Sequence, residues 1–298
     1  MKRFFLFFAT NIAIVLTISV VVSLTGAGQW ITATGINYSA LMVFCLIWGM
    51  GGSFISLLIS KWMAKKAMGV RIIDPVTSTG NSQRLVQRVY NLAGKAGLSK
   101  MPEVGIYESP EVNAFATGPS KSNSLVAVSS GLLDRMSDDE VEGVLAHEVA
   151  HIANGDMVTM TLLQGIVNAF VMFFARIAAF AISQAMRKDD DENRGFGFME
   201  HMIVFALEIV FGIIGSTIVM AFSRHREYRA DIGGADLAGK GKMIAALEKL
   251  RSMTQLVDTE HSALASFKIS GGRPTGIRSL FMTHPTLESR IKALQEAG

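Results

Sequence analysis

Between Phe4 and Ser60 the chain carries no Asp, Glu, Lys or Arg, and this run constrains the fold more than any other feature. A transmembrane helix needs only about 20 consecutive apolar residues. The run therefore holds two spans, residues 4–24 and 39–60, joined by a short external loop of small and polar residues that includes Gly26, Gly28, Thr32, Thr34 and Asn37. A signal peptide is the competing reading, because Lys2 and Arg3 precede the run. A signal's apolar region is usually about 7–15 residues, however; this one is longer, and a second apolar run follows directly. An uncleaved anchor is the better reading. Composition agrees: 50% of the residues are hydrophobic and 18% charged, against about 25% charged in soluble domains.

The formal net charge of +3 does not point to nucleic acid. The basic residues border apolar spans instead: Lys2 and Arg3, then Lys61, Lys65, Lys66 and Arg71, then Arg224, Arg226 and Arg229. Positive charge at such places holds a segment on the cytoplasmic side, and no stacking aromatics are interleaved with it. The single cysteine, Cys45, lies inside the second apolar run. It excludes an intrachain disulfide or a cysteine-based metal site and reads as a small buried hydrophobe.

Beyond residue 60 the composition turns soluble. Residues 83–96 carry Leu85, Val86, Val89, Leu92 and Ala93 at helical spacing. Residues 104–107 and 125–129 are short candidate strands, separated by a turn-rich stretch at 118–123. Third and fourth apolar stretches follow at 157–186 and 201–223, each interrupted by one charge, Arg176 and Glu208, with a charged loop between them. A lone charge costs about 2.5–3.5 kcal/mol at a helix centre on insertion scales. A hairpin folded about residue 193 would bring Arg176 and Glu208 to similar height and pair them. Spanning is favoured for this hairpin; burial within protein is the alternative. The chain thus divides into an anchor (1–60), a first soluble part (61–156), the hairpin (157–223) and a second soluble part (224–298).

Residues 147–151 read His-Glu-Val-Ala-His, on a helix opened by Ser137-Asp138-Asp139-Glu140 at capping-box spacing. Positions i and i+4 share a helical face, with Cβ atoms about 5–6 Å apart, so His147 and His151 can reach one zinc ion. Glu148, further round the same helix, can contact a water on the metal without ligating it and is the candidate general base. A catalytic zinc needs a third protein ligand. Glu227-Tyr228-Arg229-Ala230-Asp231 supplies it: Glu227 as ligand and Asp231, four residues on, as acceptor for the far nitrogen of one histidine. A hairpin that leaves one side of the membrane returns to it, so both halves of the site reach the same surface. One zinc per chain is expected.

These residues resemble the HtpX family of bacterial membrane-bound zinc metallopeptidases, relatives of the CAAX prenyl endopeptidases. The likeness covers nearly the whole chain: the paired N-terminal spans, Asn113-Ala114-Phe115-Ala116, Gly131-Leu132-Leu133, His147 to His151 extended through Asn154-Gly155-Asp156, Glu227 to Asp231, and His284-Pro285. The resemblance implies a mainly α membrane protein, its transmembrane helices joined to a gluzincin-like zinc metallopeptidase domain with a small β-sheet. It also implies an ATP-independent endopeptidase of the bacterial cytoplasmic (inner) membrane, multi-pass, with its active site on the cytoplasmic side. The expected task is stress-linked quality control of misfolded or damaged membrane proteins. Partners would be membrane-protein or unfolded polypeptide substrates, the lipid bilayer and membrane-protein regulators.

Asn113, Ala114 and Phe115 match the family's edge strand beside the zinc helix, to which an extended substrate can add as a strand. On the residues alone they read equally as a turn entering an ordinary strand. His284 is the candidate oxyanion donor, with Arg290 and Tyr228 behind it; a structural turn residue before Pro285 is the other reading of His284. Arg290 is grouped with Asp231 around the metal ligands. His201, His225 and His261 read as surface residues, and the 17 Met as core and lipid-facing filler. A silent scaffold with a structural zinc predicts a closed four-ligand site, against which Glu148 argues. A transporter would need several polar residues at mid-bilayer depth.

Overall fold

The computed structural model describes residues 31–32, 35–186, 198–260 and 282–297. The expected first span, the charged loop near residue 193 and His261 lie outside the described residues. In chain order the elements are β1 (Ile31–Thr32), β2 (Gly35–Ile36), α1 (Tyr38–Ala67), β3 (Arg71–Ile72), α2 (Gly80–Lys95), β4 (Glu103–Tyr107), β5 (Ala114–Ser120), β6 (Asn123–Ser129) and α3 (Ser130–Arg135). Then follow α4 (Asp138–Asn154), α5 (Asp156–Met186), α6 (Phe198–Ala238), α7 (Lys240–Glu260) and α8 (Leu287–Glu296).

Among the described residues, three helices are long and apolar enough to cross a membrane: α1, α5 and α6. Long apolar side chains stand exposed along all three, including Ile47, Leu58, Phe174, Ile214 and Ile218. Such a surface calls for lipid rather than water. The helix α6 is longer than the fourth apolar stretch and runs unbroken through Glu227 to Ala238. No Pro interrupts that stretch, so nothing separates the apolar half from the half that carries the site.

The chain forms two compact units, residues 1–55 with 161–216 and residues 56–160 with 217–298. In the first, Leu41, Phe44 and Cys45 of α1 pack against Ala169, Met172 and Phe173 of α5. A Cβ on Gly49 would lie 2.6 Å from the backbone nitrogen of Ala169, so only glycine permits that approach. Cys45 is fully buried, as its apolar setting predicts.

The second unit holds a four-stranded sheet in the order β3-β4-β6-β5, with β4 and β6 parallel and the outer pairs antiparallel. The turn-rich stretch at 118–123 is largely strand: β5 runs to Ser120, with a bulge between Thr117 and Ser120. Gly118, at φ 142°, makes the bulge, and a Cβ there would meet the carbonyl oxygen of Asn123 at 2.2 Å. Leu85, Val89 and Leu92 of α2, Val126 and Val128 of β6, and Leu145, Val149 and Ile152 of α4 form the main core. Met243 and Leu247 of α7 are buried against Ile291 and Leu294 of α8.

Candidate metal centre

The helix α4 starts as its sequence predicts. The Ser137 hydroxyl accepts from the backbone N–H of Glu140, and the Glu140 carboxylate accepts from that of Ser137 at 2.7 Å. It ends at Gly155, whose left-handed φ of 74° turns the chain straight into α5. Asp156, the first residue of α5, therefore returns beside the last turn of α4. On the other side, α6 presents Glu227 and Asp231 from one face. Close approach of the two helices depends on Gly234, where a Cβ would lie 3.1 Å from the backbone nitrogen of His147.

Three buried ligand groups converge there. Nε2 of His147 lies 3.1 Å from Nε2 of His151. Carboxylate oxygens of Glu227 lie 3.5 Å from the first ring nitrogen and 3.3 Å from the second. Ligands about 2.0–2.2 Å from a tetrahedral zinc stand about 3.3–3.5 Å apart, so the spacing fits such an ion. The far ring nitrogens are also engaged. Nδ1 of His147 lies 3.0 Å from Asp231 Oδ1, and Nδ1 of His151 lies 2.6 Å from Asp156 Oδ2. With both Nδ1 atoms donating to carboxylates, both Nε2 atoms are left to present lone pairs to one point.

The electrostatics favour a cation at that point. Burial opposes charge on both rings, yet the carboxylates outweigh it. Asp231 and Glu227 raise the pKa of His147, and Asp156 and Glu227 push that of His151 up to about 9. Glu227 is itself held well below the usual carboxylate range: burial works against ionisation, but the two histidines dominate.

A match to the model of peptidase family M48 covers residues 79–297, from α2 through the cluster that could hold a metal to α8. The chain belongs to peptidase family M48. Within M48 it is an HtpX-type membrane protease, a metalloendopeptidase acting on polypeptides. It is 58% identical to the Protease HtpX homolog of Bacillus licheniformis over 99% of both chains, and 54% identical to that of Bacillus subtilis over the same share. Protease HtpX of Shewanella putrefaciens is 54% identical, again over 99% of each. The fold is that of Ste24p from S. mikatae, whose crystal structure aligns with a TM-score of 0.60 at 19% identity, over 96% of this chain and 65% of Ste24p.

The remaining candidates of this M48 site fall in distinct places. Glu148 is half-buried beside the ligands, and among the described residues no hydrogen bond or ion pair engages its carboxylate. His284 brings Nε2 within 3.7 Å of Glu227 Oε2, while its Nδ1 lies 2.9 Å from the Thr283 hydroxyl. Burial, together with Arg290 and Arg226, lowers its pKa despite the carboxylate of Glu227. Arg290 is buried and forks onto Asp231 at 2.6 and 2.7 Å, with its other arm 3.4 Å from Glu227. The Tyr228 hydroxyl donates to Ser289 at 3.0 Å. Asn113 leads into β5, the edge strand that contains Ala114 and Phe115 and packs beside α4. His225 is exposed, in keeping with its surface reading. Asp156 is a residue at the cluster to which sequence reasoning assigned no role. Its signal was the glycine before it, a break that returns the following side chain to the helix end.

Proposed function

We propose that the protein is a zinc-dependent endopeptidase of the bacterial cytoplasmic membrane that cleaves misfolded or damaged membrane proteins at a cytoplasmic active site. The observation that carries the reading is the buried convergence of His147, His151 and Glu227, with the unengaged carboxylate of Glu148 beside it. Zinc held by those three residues would polarise the scissile carbonyl and acidify water.

The chain's own residues supply the rest. Glu148 takes the proton of the attacking water and delivers it to the leaving amine nitrogen. Asp231 holds the proton of His147 on Nδ1. His284, its Nδ1 beside the Thr283 hydroxyl, is the candidate to offer an Nε2–H to the developing oxyanion. An extended substrate adds to the free edge of β5, placing its backbone along α4. The basic residues at the ends of the apolar helices, Lys65 and Lys66 among them, support a cytoplasmic site.

The test is cleavage of casein by detergent-purified, zinc-loaded protein, comparing wild type with Glu148→Gln. Activity lost with zinc stoichiometry unchanged supports the mechanism. Equal cleavage by both proteins overturns it.

A further inference from the structure

We infer that Asp156 is the positioning residue of His151, and that its carboxylate ties together the two helices that carry the metal ligands. The inference rests on the metal-centre reading above and extends it to a residue outside the ligand set.

The geometry is direct. Oδ2 of Asp156 lies 2.6 Å from Nδ1 of His151, while Oδ1 lies 3.7 Å from the guanidinium of Arg229. Arg229 stands on α6, two residues beyond Glu227. One carboxylate thus contacts the last turn of α4 and the ligand-bearing stretch of α6. Asp156 itself is 3% exposed. A buried carboxylate is costly unless it is paired, and here the pairing is spent on a ligand ring and a cation beside the site.

Three consequences follow for His151. Accepting from Nδ1–H fixes the tautomer, so that Nε2 carries the lone pair. It also fixes the ring's rotation about χ2, aiming that lone pair at the point faced by His147 and Glu227. The negative charge raises the ring's basicity and strengthens it as a ligand. The two histidines therefore have matched but separate supports, Asp231 for His147 and Asp156 for His151. Asp231 comes from the helix opposite. Asp156 comes from the helix that starts as α4 ends, and Gly155 is the residue whose conformation delivers it.

The test is zinc affinity of the full-length protein in detergent, measured by competition with a chromophoric chelator and compared with His151→Ala as the reference for a lost ligand. Asp156→Ala is expected to bind zinc about 10–100-fold more weakly than wild type. Asp156→Asn still accepts from Nδ1–H but lacks the charge, and is expected to fall between wild type and alanine. Cobalt substitution adds a readout that general destabilisation would not move: the visible bands of the Asp156→Ala protein shift as the His151 ring reorients. Wild-type zinc affinity in Asp156→Ala overturns the inference while leaving the metal centre intact, provided His151→Ala has lost zinc. Where Asp156→Ala does not accumulate, wild-type affinity in Asp156→Asn overturns it equally. If His151→Ala and wild type bind zinc alike, the metal-centre reading fails instead.

Discussion

Nη1 of Arg176 lies 2.7 Å from Oε1 of Glu208, pairing the one charge of the apolar stretch 157–186 with the one charge of the stretch 201–223. The same nitrogen donates to the carbonyl of Met172 at 3.0 Å, and the guanidinium sits 5.8 Å from the centroid of the Phe44 ring. Each charge would be costly in lipid, and each is neutralised by the other. Arg176→Leu or Glu208→Leu alone leaves a buried charge without its partner and should destabilise the protein by about 3 kcal/mol. Replacing both by leucine should cost little, since apolar pairs often match buried ion pairs. Thermal unfolding in detergent micelles checks this. A double variant no more stable than either single one would refute the pairing as an energetic unit.

Arg290 holds two carboxylates together, and its loss should be felt most without metal. Burial alone would raise the Asp231 pKa, but Arg290 and His147 bring it below the ordinary range. Arg290→Gln leaves Asp231 and Glu227 as neighbouring buried anions, at a cost of about 3–5 kcal/mol in the metal-free protein. A bound divalent ion restores the missing positive charge, so the loss should shrink when zinc is present. Arg290→Lys keeps the charge but not the planar fork and should recover part of the difference. Melting curves with and without chelator distinguish these outcomes.

The legible part of this molecule was the part written in local spacing. The capping box at Ser137, the i, i+4 histidines and the Glu227–Asp231 pair each declare themselves within five residues, because a helix turns such spacings into shared faces. The apolar runs were legible by length alone. Three features were not. The bulged strand β5 hides behind Gly118 and Pro119, whose turn chemistry is consumed by a bulge against Asn123 rather than by a loop. Asp156 was hidden because its role depends on a single left-handed residue, Gly155, and on the Arg229 side chain more than seventy positions away. The placing of Arg290 likewise needed α8 to pack on α7, a tertiary fact that spacing cannot carry.

Metal uptake should release protons. Without a cation the His151 pKa stands at about 9 and that of His147 is also raised, so at neutral pH the His151 ring carries a proton that a metal ion must displace. Zinc affinity should therefore rise with pH from about 6.5 toward 9. The stability of the metal-free protein runs the other way. A group whose folded pKa is raised contributes fully below its unfolded value near 6.5 and loses that contribution as pH climbs through the folded value. Metal-free protein should thus melt at progressively lower temperature between about pH 6.5 and 9, while the zinc-loaded protein does not follow. Calorimetry in buffers of different ionisation enthalpy counts the protons, and zero release would contradict the charged state of the His151 ring.

The glycines of α6 and α7 offer a test of how tightly the ligand helices must approach. A Cβ on Gly234 would stand 3.1 Å from the His147 nitrogen, 3.3 Å from its Cα and 3.0 Å from the Met243 sulfur. The sulfur can swing aside, but the backbone of α4 cannot without carrying His147 with it. Gly234→Ala should therefore cost about 1–3 kcal/mol and also weaken zinc binding. At Gly233 the close neighbour among the described residues is the Ala150 methyl, at 3.1 Å, so alanine there should be milder. Gly241 in α7 has nothing within 4 Å of an added Cβ. There alanine should raise stability by about 0.4–1 kcal/mol through the unfolded chain alone, leaving zinc affinity untouched. Melting temperature and zinc affinity measured together on the three variants separate helix propensity from helix approach. Equal effects at Gly234 and Gly241 would mean that α4 and α6 do not need their close contact to hold the site.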